Sequence, residues 1–260
     1  MTDACAEEFV ELAGRMANAA GEISLKYFRR EFDVEAKSDA TPVTTADREA
    51  ELAMRALIEA EQPAHGIVGE EFDPVRPDAE YLWVLDPIDG TKAFACGIPV
   101  FTNMIALLRA GEPILGVISQ PVLGERWVGA GGRPTTFNGE PASVRPASRL
   151  ADVALLTTSP GMFEEGDDMA AYERLEAACW YRRLGLDCYA YGLLASGYVQ
   201  LIAEAQMKIH DYMPLVRVVE GAGGVITDWR GGAIGLDSSG HVLAAASAEL
   251  HAQALALLAG

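Results

Sequence analysis

Residues Leu85 to Phe94 read LDPIDGTKAF and follow directly on the apolar run YLWV, Tyr81 to Val84. An apolar run closed by proline and glycine signals a strand ending in a tight turn. Here that end carries two aspartates three residues apart, with Pro87 between them and Gly90-Thr91 after them, which marks a site and not an ordinary loop. Proline restricts the backbone so that the Asp86 carboxylate, the Ile88 carbonyl and the Asp89 carboxylate can offer three oxygens to one side. Gly90 permits close backbone approach, and the amides of Gly90 and Thr91 at an expected helix start can hold a phosphate.

Other acids stand at the ends of apolar runs. Glu70 and Glu71 follow GIV in VGEEFD, and Asp211 lies at a strand-to-helix junction in KIHDYM. An all-oxygen cluster selects a hard divalent cation, and Mg²⁺ takes one or two carboxylates per ion with water and phosphate completing its shell. No HxxxH or cysteine-rich set argues for zinc. The formal charge of -18, from 38 acidic and 20 basic residues, repels nucleic acid and anionic membranes. An anionic substrate would therefore need metal ions to reverse the local sign.

The surrounding pattern sets the fold class. Phe9, Leu12, Met16, Ala20, Ile23 and Tyr27 recur at helical spacing from Cys5 to about Arg30. A polar loop, KSDATPVTTAD, leads to a second helix from about Asp47 to Glu61 that Thr44 or Thr45 could cap. GIVGEE and YLWVLD read as strands, and FTNMIALL, PILGVISQ and ERWVGA as antiparallel strands joined by hairpin turns. After VALLTTSP come a helix near Asp168 to Ala178, a turn at YRRLGLD, a helix through YAYGLLASG and the strand YVQLIAEA. A helix over MPLVRVVEGAG, two strands, GVITDW and HVLAAAS, and a terminal helix complete the order. This mixture predicts α+β with layered sheets, not a doubly wound parallel sheet.

At 260 residues, half of them hydrophobic, the chain is expected to form a single domain of two closely packed halves, about 1–145 and 146–260. Early acids replace a secretory leader and no run is long enough for a membrane span, so a cytoplasmic location is expected. Cys5, Cys96, Cys179 and Cys188 are scattered and read as reduced thiols, with Cys96 a small buried filler. Gly221, Gly223 and Gly224 follow a helix and read as a tight turn rather than a nucleotide loop.

GEE, then DPIDGT, then a late aspartate followed by EGAGGVITDW resembles the inositol-monophosphatase superfamily of Mg²⁺-dependent, lithium-sensitive phosphatases along nearly the whole chain. Within it, DPIDGTKAF, LLTTSPGMF, LGLDCYAYGLLASG and DYMPLVRVVEGAGGVITDWRGG resemble segments of the histidinol-phosphate phosphatases. The resemblance implies an αβαβα layered phosphomonoesterase that uses two or three Mg²⁺ ions. It also implies Glu70, Asp86, the Ile88 carbonyl, Asp89 and Asp211 as ligands. Catalysis would rest on Glu70 and on Thr91, hydrogen-bonded to Asp47, orienting and deprotonating water. Beside Gly90 and Thr91, the substrate pocket maps to Arg183, Asp187 and Glu204.

Two acids suit an ammonium group, so L-histidinol phosphate is the expected substrate, ahead of inositol-1-phosphate or another small phosphomonoester. A sugar bisphosphate or adenosine 3',5'-bisphosphate would want more basic residues. The resemblance also implies a homodimer, and leaves a regulatory protein-binding role as the alternative from another class. Asp187 and Glu204 could instead pair with surface arginines. His210 reads as a packed neighbour of Asp211, and Lys37 as able to approach the metals. Leu186, where glycine is expected, and Thr102-Asn103, in place of Gly-Thr, depart from the family pattern. Those departures are expected to bear on substrate choice and not on metal chemistry.

Overall fold

The computed structural model describes residues 4–30, 34–36 and 42–259, so Lys37 and the side chain of Thr44 lie outside what it describes. Helical periodicity gives α1 (Glu7–Tyr27) a buried stripe of Phe9, Leu12, Met16 and Ala20, and α2 (Thr45–Glu61) one of Ala50, Met54 and Ile58. Between them β1 (Val34–Ala36) and β2 (Pro42–Thr44) pair antiparallel. The first sheet has seven strands in chain order: β3 (Gly66–Gly69), β4 (Tyr81–Asp89), β5 (Thr102–Arg109), β6 (Glu112–Gln120), β7 (Glu125–Ala130), β8 (Thr136–Phe137) and β9 (Glu140–Pro141). Its β3 runs parallel to β4, and the remaining pairs are antiparallel. A five-residue helix, α3 (Thr91–Ala95), follows β4.

The second sheet is built from β10 (Ala154–Thr157), β11 (Tyr181–Leu184), β12 (Leu201–Glu204), β13 (Val225–Thr227) and β14 (Val242–Ala245), in the order β11-β10-β12-β14-β13. Helices α4 (Asp167–Ala178), α5 (Tyr189–Ala195), α6 (Ile209–Gly221) and α7 (Ala248–Ala259) complete the chain. Pairing is parallel across β11, β10 and β12 and antiparallel across β12, β14 and β13.

Strand alternation shows why five layers form. Trp83, Leu85, Ile105, Leu107 and Val117 pack with α1 and α2, whereas their neighbours Leu82, Val84, Met104, Ala106 and Ile118 pack with α5 and α6. In the second sheet Leu156, Ile202 and Ala244 join that same central cluster, while Leu155, Leu201, Ala203 and Leu243 pack with α4 and α7. Sheets covered on both faces need near-continuous apolar strands, which is how YLWVL and MIALL read. The architecture is α+β in αβαβα layers, as the sequence pattern and the resemblance imply.

Helix α6 lies unusually close to the first sheet because two strand positions have no side chain. A Cβ on Gly116 would stand 2.0 Å from the Pro214 carbonyl oxygen, and one on Gly129 would stand 2.2 Å from that of Arg217. This close approach carries the N-terminus of α6, and Asp211 with it, toward β4.

Two local expectations are corrected. YRRL is not a turn but the edge strand β11, exposed along its length, whose backbone pairs with β10 although its side chains show no alternating pattern. Cys96 is exposed and not a buried filler, standing at the C-cap of the short helix α3. The turn after α6 forms as expected, with Gly223 at a positive φ of 89°. Among the described residues no helix is long and apolar enough to cross a membrane.

Candidate active site

Residues three apart on a regular strand point to opposite faces. Asp86 and Asp89 nevertheless converge, because the β4–β5 ladder pairs Asp86 with Met104 and Asp89 with Thr102. Three steps on β4 oppose two on β5, so one extra residue sits in β4 as a bulge. Pro87, which has no N–H to give a ladder, falls inside that bulge. The Ile88 N–H donates to Asp86 Oδ1 at 3.0 Å, and the Pro87 carbonyl accepts from Asn103 Nδ2 at 2.6 Å.

Helix α6 brings the third aspartate. Asp211 sits in its first turn, where Oδ2 accepts from the Lys208 N–H at 2.7 Å, a cap suited to the positive end of the helix. Oxygens of Asp86, Asp89 and Asp211 lie within 4.8 Å of one another, and so do ligand atoms of Glu70, Asp86 and His210. His210 is buried between two of these acids, with Nε2 3.9 Å from Glu70 Oε2 and 3.6 Å from Asp211 Oδ1. Glu70 follows β3 directly, in register beside the end of β4.

Burial pushes the Asp86 carboxyl well above its usual range, and repulsion from Glu70, Asp89, Asp211 and Asp47 adds to it. Asp89 is raised well above its usual range for the same reasons, burial first and then Asp187 and Asp211, against the hydrogen bond from the Cys188 N–H. Asp211 is also raised, chiefly by burial, with His210 opposing. A divalent cation offsets both burial and repulsion, and an oxygen-dominated donor set suits a hard ion such as Mg²⁺. The residues present therefore fit the metal that the sequence implies.

Thr91 opens α3 with its hydroxyl 3.1 Å from the Ile88 carbonyl oxygen and 3.5 Å from Asp47 Oδ1. Asp47 is fully buried in the first turn of α2. Gly90 adopts φ 79°, and a Cβ there would meet the Asp187 carboxylate at 3.1 Å. Asp187 itself holds φ 46°, a left-handed conformation that costs a non-glycine residue and recurs at functional sites.

A cavity of about 130 Å³ adjoins the acids, lined in part by Asp89, Asp187, Cys188, Tyr191, Glu204 and Asp211. Glu204, at the end of β12, accepts from Thr157 Oγ1 at 3.1 Å, the Thr158 N–H at 2.9 Å and Thr158 Oγ1 at 3.0 Å. Burial nevertheless pushes it up to about 8. Asp187 is raised by burial, with Lys92 opposing. Arg183 is elsewhere: it lies on the exposed strand β11 and does not line this cavity. No arginine pairs with Glu204 among the contacts described; its partners are the two threonines.

Sequence reasoning missed several participants. Thr157 and Thr158 fall in the TTSP segment that carries part of the resemblance, but a hydroxyl pair gives no signal until β12 is placed beside β10. The Cys188 N–H, which donates to Asp89 Oδ2 at 2.8 Å, is a backbone group and has no signature at all. Thr102 and Asn103 stood out only as departures, yet they bond to Asp89 and Pro87.

Known proteins similar to this chain include several phosphatases. Over 264 residues it is 46% identical to the chloroplastic bifunctional phosphatase IMPL2 of Arabidopsis thaliana, a match covering 98% of this chain and 76% of that protein. A histidinol-phosphatase of Chlorobaculum parvum is 36% identical over 236 residues, covering 90% and 91% of the two chains. An inositol monophosphatase structure from Zymomonas mobilis superimposes with a TM-score of 0.90 at 44% identity over 98% of each chain. With the family model for inositol monophosphatases matching residues 6–259, nearly every element described above is accounted for, and the chain belongs to the inositol monophosphatase family.

Proposed function

We propose that this phosphatase hydrolyses L-histidinol phosphate in a Mg²⁺-dependent reaction. The observation that carries the substrate is the pair of carboxyls, Asp187 and Glu204, lining a small cavity beside Asp89 and Asp211. Both are held above the ordinary range by burial, so a ligand ammonium beside them regains the energy that an uncompensated charge forfeits. An inositol hydroxyl can hydrogen-bond a carboxylate but brings no charge. A histidinol-phosphatase is also among the chain's relatives.

Glu70, Asp86, the Ile88 carbonyl, Asp89 and Asp211 would hold two or three Mg²⁺ ions, which when bound neutralise the phosphate and acidify water. In the reaction water oxygen adds to phosphorus, the ester P–O bond breaks, and the products are the alcohol and inorganic phosphate. Thr91 takes the water proton on its hydroxyl oxygen while passing its own to Asp47, which supplies the basicity that a lone threonine lacks. Glu70 helps orient the water, and the amides of Gly90 and Thr91 receive a phosphate oxygen. The leaving alkoxide takes a proton from solvent water.

Phosphate release from L-histidinol phosphate and inositol-1-phosphate, each with Mg²⁺ or EDTA, tests this reading in wild type and Asp89→Asn. The expected result is a preference for histidinol phosphate of about tenfold or more in kcat/KM, about 1.4 kcal/mol, abolished by EDTA and by the substitution. Faster turnover of inositol-1-phosphate would overturn the roles given to Asp187 and Glu204.

A further inference from the structure

The bulge that brings Asp86 and Asp89 together leaves a gap in the β4–β5 ladder, and two adjacent side chains of β5 fill it. Thr102 and Asn103 are both fully buried. As neighbours on a strand they face opposite sides of the sheet. Thr102 Oγ1 donates to Asp89 Oδ2 at 3.2 Å, the oxygen that also accepts from the Cys188 N–H. Two bonds on one oxygen fix the plane of that carboxylate. On the other side Asn103 Nδ2 donates to the Pro87 carbonyl at 2.6 Å and to Ser24 Oγ at 3.0 Å. Ser24 Oγ in turn donates to the Ala20 carbonyl at 2.8 Å, so the bulge is tied to α1 through a buried chain of hydrogen bonds.

Asn103 pays an unusual cost for this position. Its Oδ1 is buried with no hydrogen-bond partner among the described residues. An unsatisfied buried acceptor is destabilising, and such groups persist where another requirement outweighs stability. Here the requirement is a donor for a proline carbonyl that the broken ladder leaves unserved.

The geometry points to Thr102 and Asn103 as positioning residues that set the Mg²⁺ affinity of this chain, Thr102 by orienting the Asp89 carboxylate and Asn103 by fixing the Pro87–Ile88 peptide between the two aspartates. The inference rests on the metal reading of the proposed function. Groups that hydrogen-bond to ligands typically change metal affinity by 10- to 100-fold when removed. It reverses the expectation that this departure from the family pattern bears on substrate alone.

Calorimetric titration of metal-stripped protein with Mg²⁺ tests it, with far-UV circular dichroism and metal-free melting confirming that each variant is folded. Thr102→Val keeps the shape and removes the donor, Thr102→Ser restores the donor, and Asn103→Leu removes the amide. The expected result is a Kd raised about tenfold or more in Thr102→Val and Asn103→Leu, and held within about threefold of wild type in Thr102→Ser. A merely structural role predicts loss in melting temperature without this hydroxyl-dependent rescue. Thr102→Val binding Mg²⁺ as tightly as wild type, or Thr102→Ser falling as far as Thr102→Val, overturns the inference alone. Wild type taking up no Mg²⁺ overturns the metal reading and this inference together. Should Asn103→Leu fail to fold, the Thr102 pair decides.

Discussion

Replacing Glu204 by Gln should make the metal-free protein more stable and a poorer enzyme. The glutamate is 2% exposed at the end of β12 and is held up to about 8 by burial, which outweighs the bonds from Thr157 and Thr158 that pull it down. Glutamine fits the same contacts, since its carbonyl accepts from the Thr158 N–H and hydroxyl and its amide donates to the Thr157 hydroxyl oxygen. The sign follows from proton uptake. The folded carboxyl keeps its proton to higher pH than the unfolded one, so stability is greatest below about 4.5, falls as pH rises, and levels off above about 8. Because pH 7 lies about 2.5 units above the ordinary value of 4.5 and still below the folded value of about 8, folding carries a penalty of about 3 kcal/mol there that glutamine does not. Urea unfolding in EDTA measures this directly. The stability gap between Glu204→Gln and wild type should be about 1 kcal/mol at about pH 5.5 and about 4 kcal/mol at about pH 7.5. Turnover of histidinol phosphate should fall in the same variant. A gap that does not change with pH, or a variant less stable than wild type at about pH 7.5, would refute the reasoning.

Asp86→Asn should unfold at a higher temperature than wild type in EDTA, because a buried, repelled charge is gone, and should show no further rise on adding Mg²⁺; differential scanning calorimetry reads both. For wild type, Mg²⁺ at about 100 times its Kd should stabilise by about 2.7 kcal/mol, reversed by chelation and visible as a melting shift. Thr91→Ala should lower kcat by about 10²-fold or more with KM little changed, measured by steady-state phosphate release, whereas Thr91→Ser should retain most activity. Gly116→Ala should cost about 1–3 kcal/mol in denaturant unfolding, since its Cβ would meet the Pro214 carbonyl at 2.0 Å. That variant should also bind Mg²⁺ more weakly, because α6 carries Asp211.

Much of the fold was legible in local pattern. The stripe of α1, the near-continuous apolar runs of β4 to β6 and the punctuation by glycine and proline each carry their own signal, and each element formed where that signal lay. YRRL misled because an edge strand needs only a backbone partner, and its four exposed side chains show no alternation of apolar with polar. Cys96 misled because thiols are often buried, a tendency that one exposed helix end overrides.

The acids themselves were equally legible: DPIDGT, GEE and the late Asp211 are residue types that only a few chemistries require at the ends of apolar strands. Composition also set the expectation that an anionic ligand would need a compensating cation, since 38 acids outnumber 20 bases. What only the tertiary structure decided was how those acids face one another. A period of two places Asp86 and Asp89 on opposite faces until one extra residue in β4, read against β5, turns them to the same side. Asp211 reaches them because two glycines let α6 approach the sheet, and Glu204 meets Thr157 and Thr158 because β12 pairs with β10. Burial then shifts their protons. Register, close approach and desolvation are properties of distant segments packed together, so no single stretch of sequence contains them.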